Sequence, residues 1–201
     1  FTLDELADAS LLNQGFMARS LREDVVARCR AATGPVSVAE LAGENGVPGL
    51  PAASVDLSTA CQVLDDWDGI YDLDRAGPPV WREFLGRFDA AAFRDAGPLW
   101  AKPFDPADPL TTPSGLAAAP ASGDDPVLVN LARAVQTLEA AGFEADSTLG
   151  ETQFALRNGV RVPIHGGNGI DGTTNVVSFG SLGSIADPKV VDRKPERLVT
   201  G

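Results

Sequence analysis

The chain has 201 residues, and 44% of them are hydrophobic, so it can bury the core of one large domain or two small ones. Its formal net charge of −12 argues against binding to nucleic acid or to anionic lipid, because both need a basic protein surface. No apolar run approaches the ~18 residues of a transmembrane helix, so the sequence predicts no membrane span.

Helical patterns dominate the first part of the chain. Thr2 and Glu5 have the spacing of a capping box, which predicts a first helix that starts at once and breaks near 13–15. Apolar spacing predicts further helices over about 16–32, from Asp56 to Trp67, and from AGPP at 76–79, where proline is tolerated in a first turn. The intervening stretch at 43–54 is predicted to be a loop.

The two cysteines, Cys29 and Cys61, fall on the inward faces of two predicted helices. They do not form a CxxC pair, and one histidine with two distant thiols makes a poor zinc site. In an exported protein they could close a disulfide, whereas in a cytosolic protein they would be buried thiols.

A proline-rich segment follows at 97–126. Its seven prolines each lack an amide donor and fix φ, which predicts extended surface chain rather than helix. Trp100 and Phe104 make the segment too apolar for a free linker. We therefore expect it to lie as a strap across a larger body, with these two aromatic rings buried against segments outside this chain.

The last part changes its period. Asp124 or Asp125 caps a helix that stops near Gly142, and Asn158-Gly159 then lies between two short β-like runs, a strong hairpin signal. A third strand is a candidate at 173–179. The expected class is α+β, with a helical first half followed by a β-hairpin and strands. The absence of βαβ alternation argues against a Rossmann fold.

His165 is the only histidine and lies in a glycine-rich run. It could be the base of a nucleophilic triad, but no serine sits in a GxSxG elbow, so a structural turn with Gly166 and Gly167 is favoured. The run GGNGIDG lacks the lysine of a phosphate-binding P-loop. The stretch from Asp72 to Glu83 imitates a calcium loop only in part, and a solvated acidic turn is favoured. The residues thus offer no catalytic, metal or cofactor-binding site.

Three stretches occur in an order that resembles a known family: WDGIYDLDRAGPPVWREF, PFDPADPLTTPSGL and RNGVRVPIHGGNGIDGTTNVV. They are similar to the later part of the β-subunit of penicillin-acylase-type amidases, especially the acyl-homoserine-lactone and aculeacin acylase branch. The resemblance covers most of the chain, from FTLDEL to PIHGG.

The resemblance implies an N-terminal-nucleophile hydrolase with an αββα body. Its exported precursor cuts itself into α- and β-subunits, and the new terminal serine attacks an amide while its own α-amine acts as base. The sequence starts with Phe1 and not with this serine, and the resemblance places the family's nucleophile and oxyanion residues before the segment that FTLDEL resembles, so no catalytic residue carries over. The capping box explains Thr2 better than a nucleophilic role does. The resemblance implies that the chain is an interior part of the β-subunit and that the family's last strands would follow after Gly201.

Further expectations follow from the resemblance. The helical part at 1–96, the strap at 97–126 and the helix with strands at 127–201 are expected to form one piece of a β-subunit rather than an autonomous domain. Its partners are the α-subunit, the N-terminal part of the β-subunit and an N-acyl substrate, with no cofactor. Secretion or export to the periplasm favours a Cys29–Cys61 disulfide. Two alternatives stay open: a non-catalytic, acidic extracellular binding module, and an independent hydrolase with His165 as base.

Overall fold

The computed structural model describes residues 2–43, 49–89, 91–93, 95, 97, 99–158 and 160–177. In this part of the chain the helices are α1 (Leu3–Leu11), α2 (Phe16–Ala31), α3 (Ser58–Asp66), α4 (Gly77–Leu85), α5 (Pro126–Ala140) and the short α6 (Leu149–Thr152). The strands are β1 (Val36–Val38), β2 (Ala53–Val55), β3 (Trp100–Lys102), β4 (Ser114–Leu116), β5 (Phe154–Arg157) and β6 (Val160–Pro163). They form three antiparallel pairs, β1–β2, β3–β4 and β5–β6. The predicted α+β class is confirmed.

Local signals set the helix ends. The Thr2 side chain accepts from the Glu5 amide at 3.1 Å, and the Glu5 carboxylate accepts from the Thr2 amide at 2.7 Å, as the capping-box pattern predicts. Asp125 caps α5 by accepting from the Val127 amide at 2.9 Å. Gly142, with φ of +82°, follows the end of α5 in the left-handed conformation that glycine adopts readily.

One core joins α2, α3, α4 and α5, with α4 packed along α5. Its centre is a row of aromatic side chains whose successive ring centroids lie 5.2–6.0 Å apart, in the order Tyr71, Trp67, Trp81, Phe84 and Phe88. Tyr71 and Trp67 meet edge to face, an arrangement that the ring quadrupoles favour.

The proline-rich strap packs on the same core, which corrects one expectation. Trp100 is only 1% exposed and is buried within this chain, not against segments outside it. The reason is a ribbon that the sequence analysis missed, since β3 and β4 pair with Trp100 opposite Leu116. Asp24 of α2 accepts from the Leu116 amide at 3.2 Å and so fastens the ribbon to the helix. Phe104 remains 48% exposed.

The predicted hairpin between β5 and β6 is present, and Asn158 adopts φ of +51° in its turn, while Gly159 lies outside the described residues. The candidate strand at 173–179 is reduced to an isolated parallel bridge between Gly167 and Val176, and its last two positions also lie outside that part. The predicted loop at 43–54 overlaps β2, and its residues 44–48 are not described.

Cys29 on α2 and Cys61 on α3 form a disulfide, with their Cα atoms 5.8 Å apart. Both side chains are buried, at 3% and 7% exposure. The bond ties two helices that also pack directly on one another. Across the described residues, the structure contains no helix that combines the length and the apolar character needed to cross a bilayer.

Candidate functional site around the histidine turn

The turn at His165 follows β6 and is held from below by one buried glutamine. The Nε2 atom of Gln153 donates to the main-chain oxygens of Ile164 and Gly166, each at 2.8 Å, and the side chain is 1% exposed. The Gly166 amide donates to the main-chain oxygen of Tyr71 at 2.9 Å. A buried amide that meets two carbonyls in this way fixes the turn against the core.

Asn13 joins this turn to residues 71–72 and to Asn175. Its Nδ2 atom donates to Asp72 Oδ1 at 2.6 Å and lies 2.9 Å from His165 Nδ1. Its Oδ1 atom accepts from the Asn175 side chain, and its main-chain oxygen accepts from the Tyr71 amide at 2.9 Å. We call Asn13, Asp72, His165 and Asn175 the asparagine hub. Asn13 is 5% exposed, so these bonds replace the water that its amide has lost.

The hydrogen bonds of the hub indicate the tautomer of the His165 imidazole. Because Asn13 Nδ2 can only donate, His165 Nδ1 must accept, and the network therefore assigns the ring proton to Nε2. The imidazole is exposed, and no serine, threonine or cysteine of the described residues hydrogen-bonds to it. A triad needs a nucleophile within hydrogen-bond reach of its base, so the geometry favours the structural turn.

A second polar network lies beneath the turn. Arg82 Nη1 donates to Gln153 Oε1 at 2.9 Å. Asp171, 1% exposed, accepts from the Asn168 amide at 2.7 Å and closes the 3₁₀ turn Gly169–Asp171. Burial raises the pKa of Asp171 to about 6, although the Asn168 amide and the charge of Arg82 oppose the rise. Burial, and then the Asp171 carboxylate, raises the pKa of Tyr71 well above its ordinary value.

The raised pKa of Asp171 predicts that the stability of the folded protein depends on pH. Its pKa is raised in the folded state from 3.8 to about 6, so folding favours the protonated form, and stability falls as pH rises from about 4 to about 6. The change corresponds to ~3 kcal/mol. Asp171→Asn keeps an oxygen for the Asn168 amide but cannot ionise. We expect the variant to gain stability over the parent at pH 7.5 but much less at pH 4.5.

Hydrogen exchange of peptides that cover 166–177, in the complete protein, measures this difference. Other carboxylates titrate in both proteins and cancel in the comparison. A parent-to-variant difference that is the same at both pH values would show that Asp171 is not held in its protonated form.

The acidic residues of the partial calcium pattern make other contacts or lie apart from one another. Asp72 belongs to the asparagine hub, Asp74 lies 3.2 Å from Arg75, and Glu83 is 4% exposed inside α4. Within the described ranges no three histidine, cysteine or acidic side chains are grouped so as to hold a metal ion. The acidic turn is therefore occupied by protein contacts.

Sequence reasoning placed His165, Gly166 and Gly167 in one turn but missed the side chains that hold it. Asn13 was interpreted only as part of a helix break, while Gln153 and Asp171 carried no recognisable motif. The separation of 152 positions between Asn13 and His165 explains why, since no local pattern links them. Cys29 and Cys61 lie at the α2–α3 contact, away from the hub's hydrogen bonds.

The chain that folds into this disulfide-tied helical core matches one family of amidases along almost its whole sequence. The family model for penicillin amidase matches residues 1–187, and the chain belongs to that family. The family match confirms the resemblance noted in the sequence, and two acylase relatives confirm its branch.

Two relatives show which members it is similar to. It is 36% identical over 112 residues to the acyl-homoserine lactone acylase PvdQ of Pseudomonas syringae pv. syringae strain B728a, a match that covers 55% of this chain and 14% of that protein. It is 30% identical over 191 residues to the aculeacin-A acylase of Actinoplanes utahensis, covering 95% of this chain and 21% of that protein. The chain therefore spans about a fifth or less of the length of these relatives.

Proposed function

We propose that these residues are a segment of an amide hydrolase that removes an acyl chain from an N-acylated compound. The family match over residues 1–187 carries the proposal. Relatives named as acylases of homoserine lactones and of aculeacin A support an acyl amide as the substrate class. Acyl-homoserine lactones, cyclic lipopeptides and penicillins are the candidates. They correspond to roles in quorum quenching or in antibiotic chemistry.

The chemistry in this proposal belongs to an N-terminal serine on another segment. A terminal α-amine has a pKa of about 8 and can take the proton of the serine hydroxyl near neutral pH. The mechanism therefore needs no imidazole base, which agrees with a His165 ring that is bound to Asn13 and has no described nucleophile beside it. Residues of this chain would support the catalytic segments, through the disulfide-tied core and the asparagine hub.

Processing and location form part of the same proposal. We propose a precursor that is exported to the periplasm or secreted and that cuts itself into α- and β-subunits, as the family does. The Cys29–Cys61 disulfide supports an oxidising compartment, because such bonds are rare in the cytosol. The other segments of the acylase are the partners that this proposal names.

His165→Ala is expected to leave amidase activity within about tenfold in the complete enzyme. The lost hydrogen bond to Asn13 costs about 1 kcal/mol, whereas a lost general base costs on the order of a hundredfold or more. Steady-state hydrolysis of a long-chain acyl amide measures the effect. A loss of about 1000-fold, in a variant with unchanged thermal stability, would revive the triad interpretation.

The proposal is tested by assaying the complete protein with a long-chain acyl-homoserine lactone, a cyclic lipopeptide and a penicillin. We expect turnover of at least one, and mass spectrometry should find a mature subunit that begins with serine. Residues 1–201 alone should release no acyl chain. Failure of the complete protein on all three substrates would overturn the proposal, and turnover by residues 1–201 would overturn the assignment of the nucleophile to another segment.

A further inference from the structure

Helix α1 has an apolar face that no described part of the chain covers. All nine residues of α1 are exposed, and Leu3, Leu6 and Leu11 are 84%, 59% and 75% exposed. At 100° per residue these three side chains fall within one stripe, which we call the leucine face. Asp4 borders this stripe next to Leu11, Asp8 lies further round the helix, and α1 contains no basic residue.

The helix is nevertheless attached to the body at its C-terminal end. The Leu12 oxygen accepts from Thr174 Oγ1 at 3.0 Å, and the Gly15 amide donates to the Gly69 oxygen at 3.0 Å. Asn13, between them, is the centre of the asparagine hub. The leucine face is therefore presented from an anchored position, beside the hub.

We propose that the leucine face is the docking surface for another segment of the same acylase, one with apolar side chains at its centre and basic residues at its rim. The inference rests on the proposed function. The family match includes α1, so the helix belongs to the hydrolase body. The relatives are about five to seven times longer than the stretch that this chain covers, which leaves ample chain to supply the partner.

Two properties of α1 favour such a partner. A helix of nine residues is marginal in water unless an amphipathic face packs against something. An exposed cluster of large apolar side chains is typical of an interaction surface. The carboxylate of Asp4 at the border of the leucine face would attract basic groups and repel acidic ones, which sets the expected charge of the partner's rim.

The test compares two single cysteine variants of the complete acylase, Leu6→Cys on the leucine face and Asp8→Cys on the acidic side as its control. Maleimide labelling of the native protein should be about a hundredfold slower at position 6 than at position 8, because a buried thiol reacts only through local opening. In denaturant the two positions should label at the same rate.

Equal native rates at the two positions would overturn the inference. Protection at position 6 that disappears on dilution would also overturn it, since the covering surface would then be a second copy of the protein. If Leu6→Cys does not fold, hydrogen exchange of the α1 amides in the unsubstituted protein decides: slow exchange supports the docking, and exchange at the rate of a free helix contradicts it.

The hydrolysis assay separates this inference from the function on which it rests. A protein that hydrolyses acyl amides with a freely labelled position 6 loses only the docking surface. A protein with a protected position 6 and no hydrolysis of any tested amide loses the proposed function and keeps an internal interface at α1.

Discussion

Replacing Gly166 by alanine is expected to destabilise the histidine turn by at least ~3 kcal/mol. Two costs add at this position. Gly166 has φ of +95°, where an L side chain is strained, and its Cβ would lie 2.2 Å from the Asn175 oxygen. The loop at 172–177 must then move and release the bonds that Gly167 makes to Asn175, at 3.1 Å, and to Val177, at 2.7 Å.

Gly142→Ala is the matched control for this prediction. Gly142 has φ of +82°, so the backbone strain is similar, but its Cβ would meet no atom within 4 Å. This control should cost about 1 kcal/mol. Hydrogen exchange of the complete protein, read in peptides covering 166–177 and 138–146, measures both variants. Equal losses at the two glycines would show that the close approach to Asn175 does not contribute.

Removing the disulfide should cost roughly 3–4 kcal/mol of unfolding free energy through the entropy of the unfolded chain. The loop joins positions 32 apart in the sequence. The variant Cys29→Ala with Cys61→Ala removes both sulfurs and leaves no free thiol to exchange. Its thermal unfolding should match that of the parent treated with reductant, and reductant should leave the variant unchanged.

Thiol titration tests the bond itself. The unfolded, unreduced parent and the double alanine variant should give equal thiol counts, because Cys29 and Cys61 contribute none when they are joined. An excess of two thiols in the parent would contradict the disulfide and restore the pair of buried thiols that the sequence also allowed.

Local rules predicted local structure well in this chain. The capping box at Thr2 and Glu5, the cap at Asp125 and the turn at Asn158 each depend on groups within a few positions of one another. The strands β1 to β4 were missed because each has only three residues, too few for an alternating pattern to show.

The site was predictable only in part, for a different reason. The sequence placed His165 in a glycine turn, but its partner Asn13 lies at the other end of the described chain. Burial of Trp100 was misjudged in the same way, because it depends on pairing with Leu116 and on the contact of that ribbon with α2. Such contacts are set by the assembled core and leave no trace in any short window.

The asparagine hub also sets the order in which parts of the chain fold during synthesis on the ribosome. Its bonds from Asn13 to His165 and Asn175 span 152 and 162 positions, so they close only after nearly the whole of this stretch has left the ribosome. The helices α2 to α5 can collapse earlier, whereas closure of so long a loop is entropically late and slow. In a nascent chain stopped before position 164, Asn13 would lack its hydrogen-bond partners His165 and Asn175. The end of α1 would also lack the hydrogen bond from Thr174 to the Leu12 oxygen. Synthesis interrupted at this point would leave the helices α2 to α5 folded but α1 without its anchoring contacts, so proteases would cut first around α1.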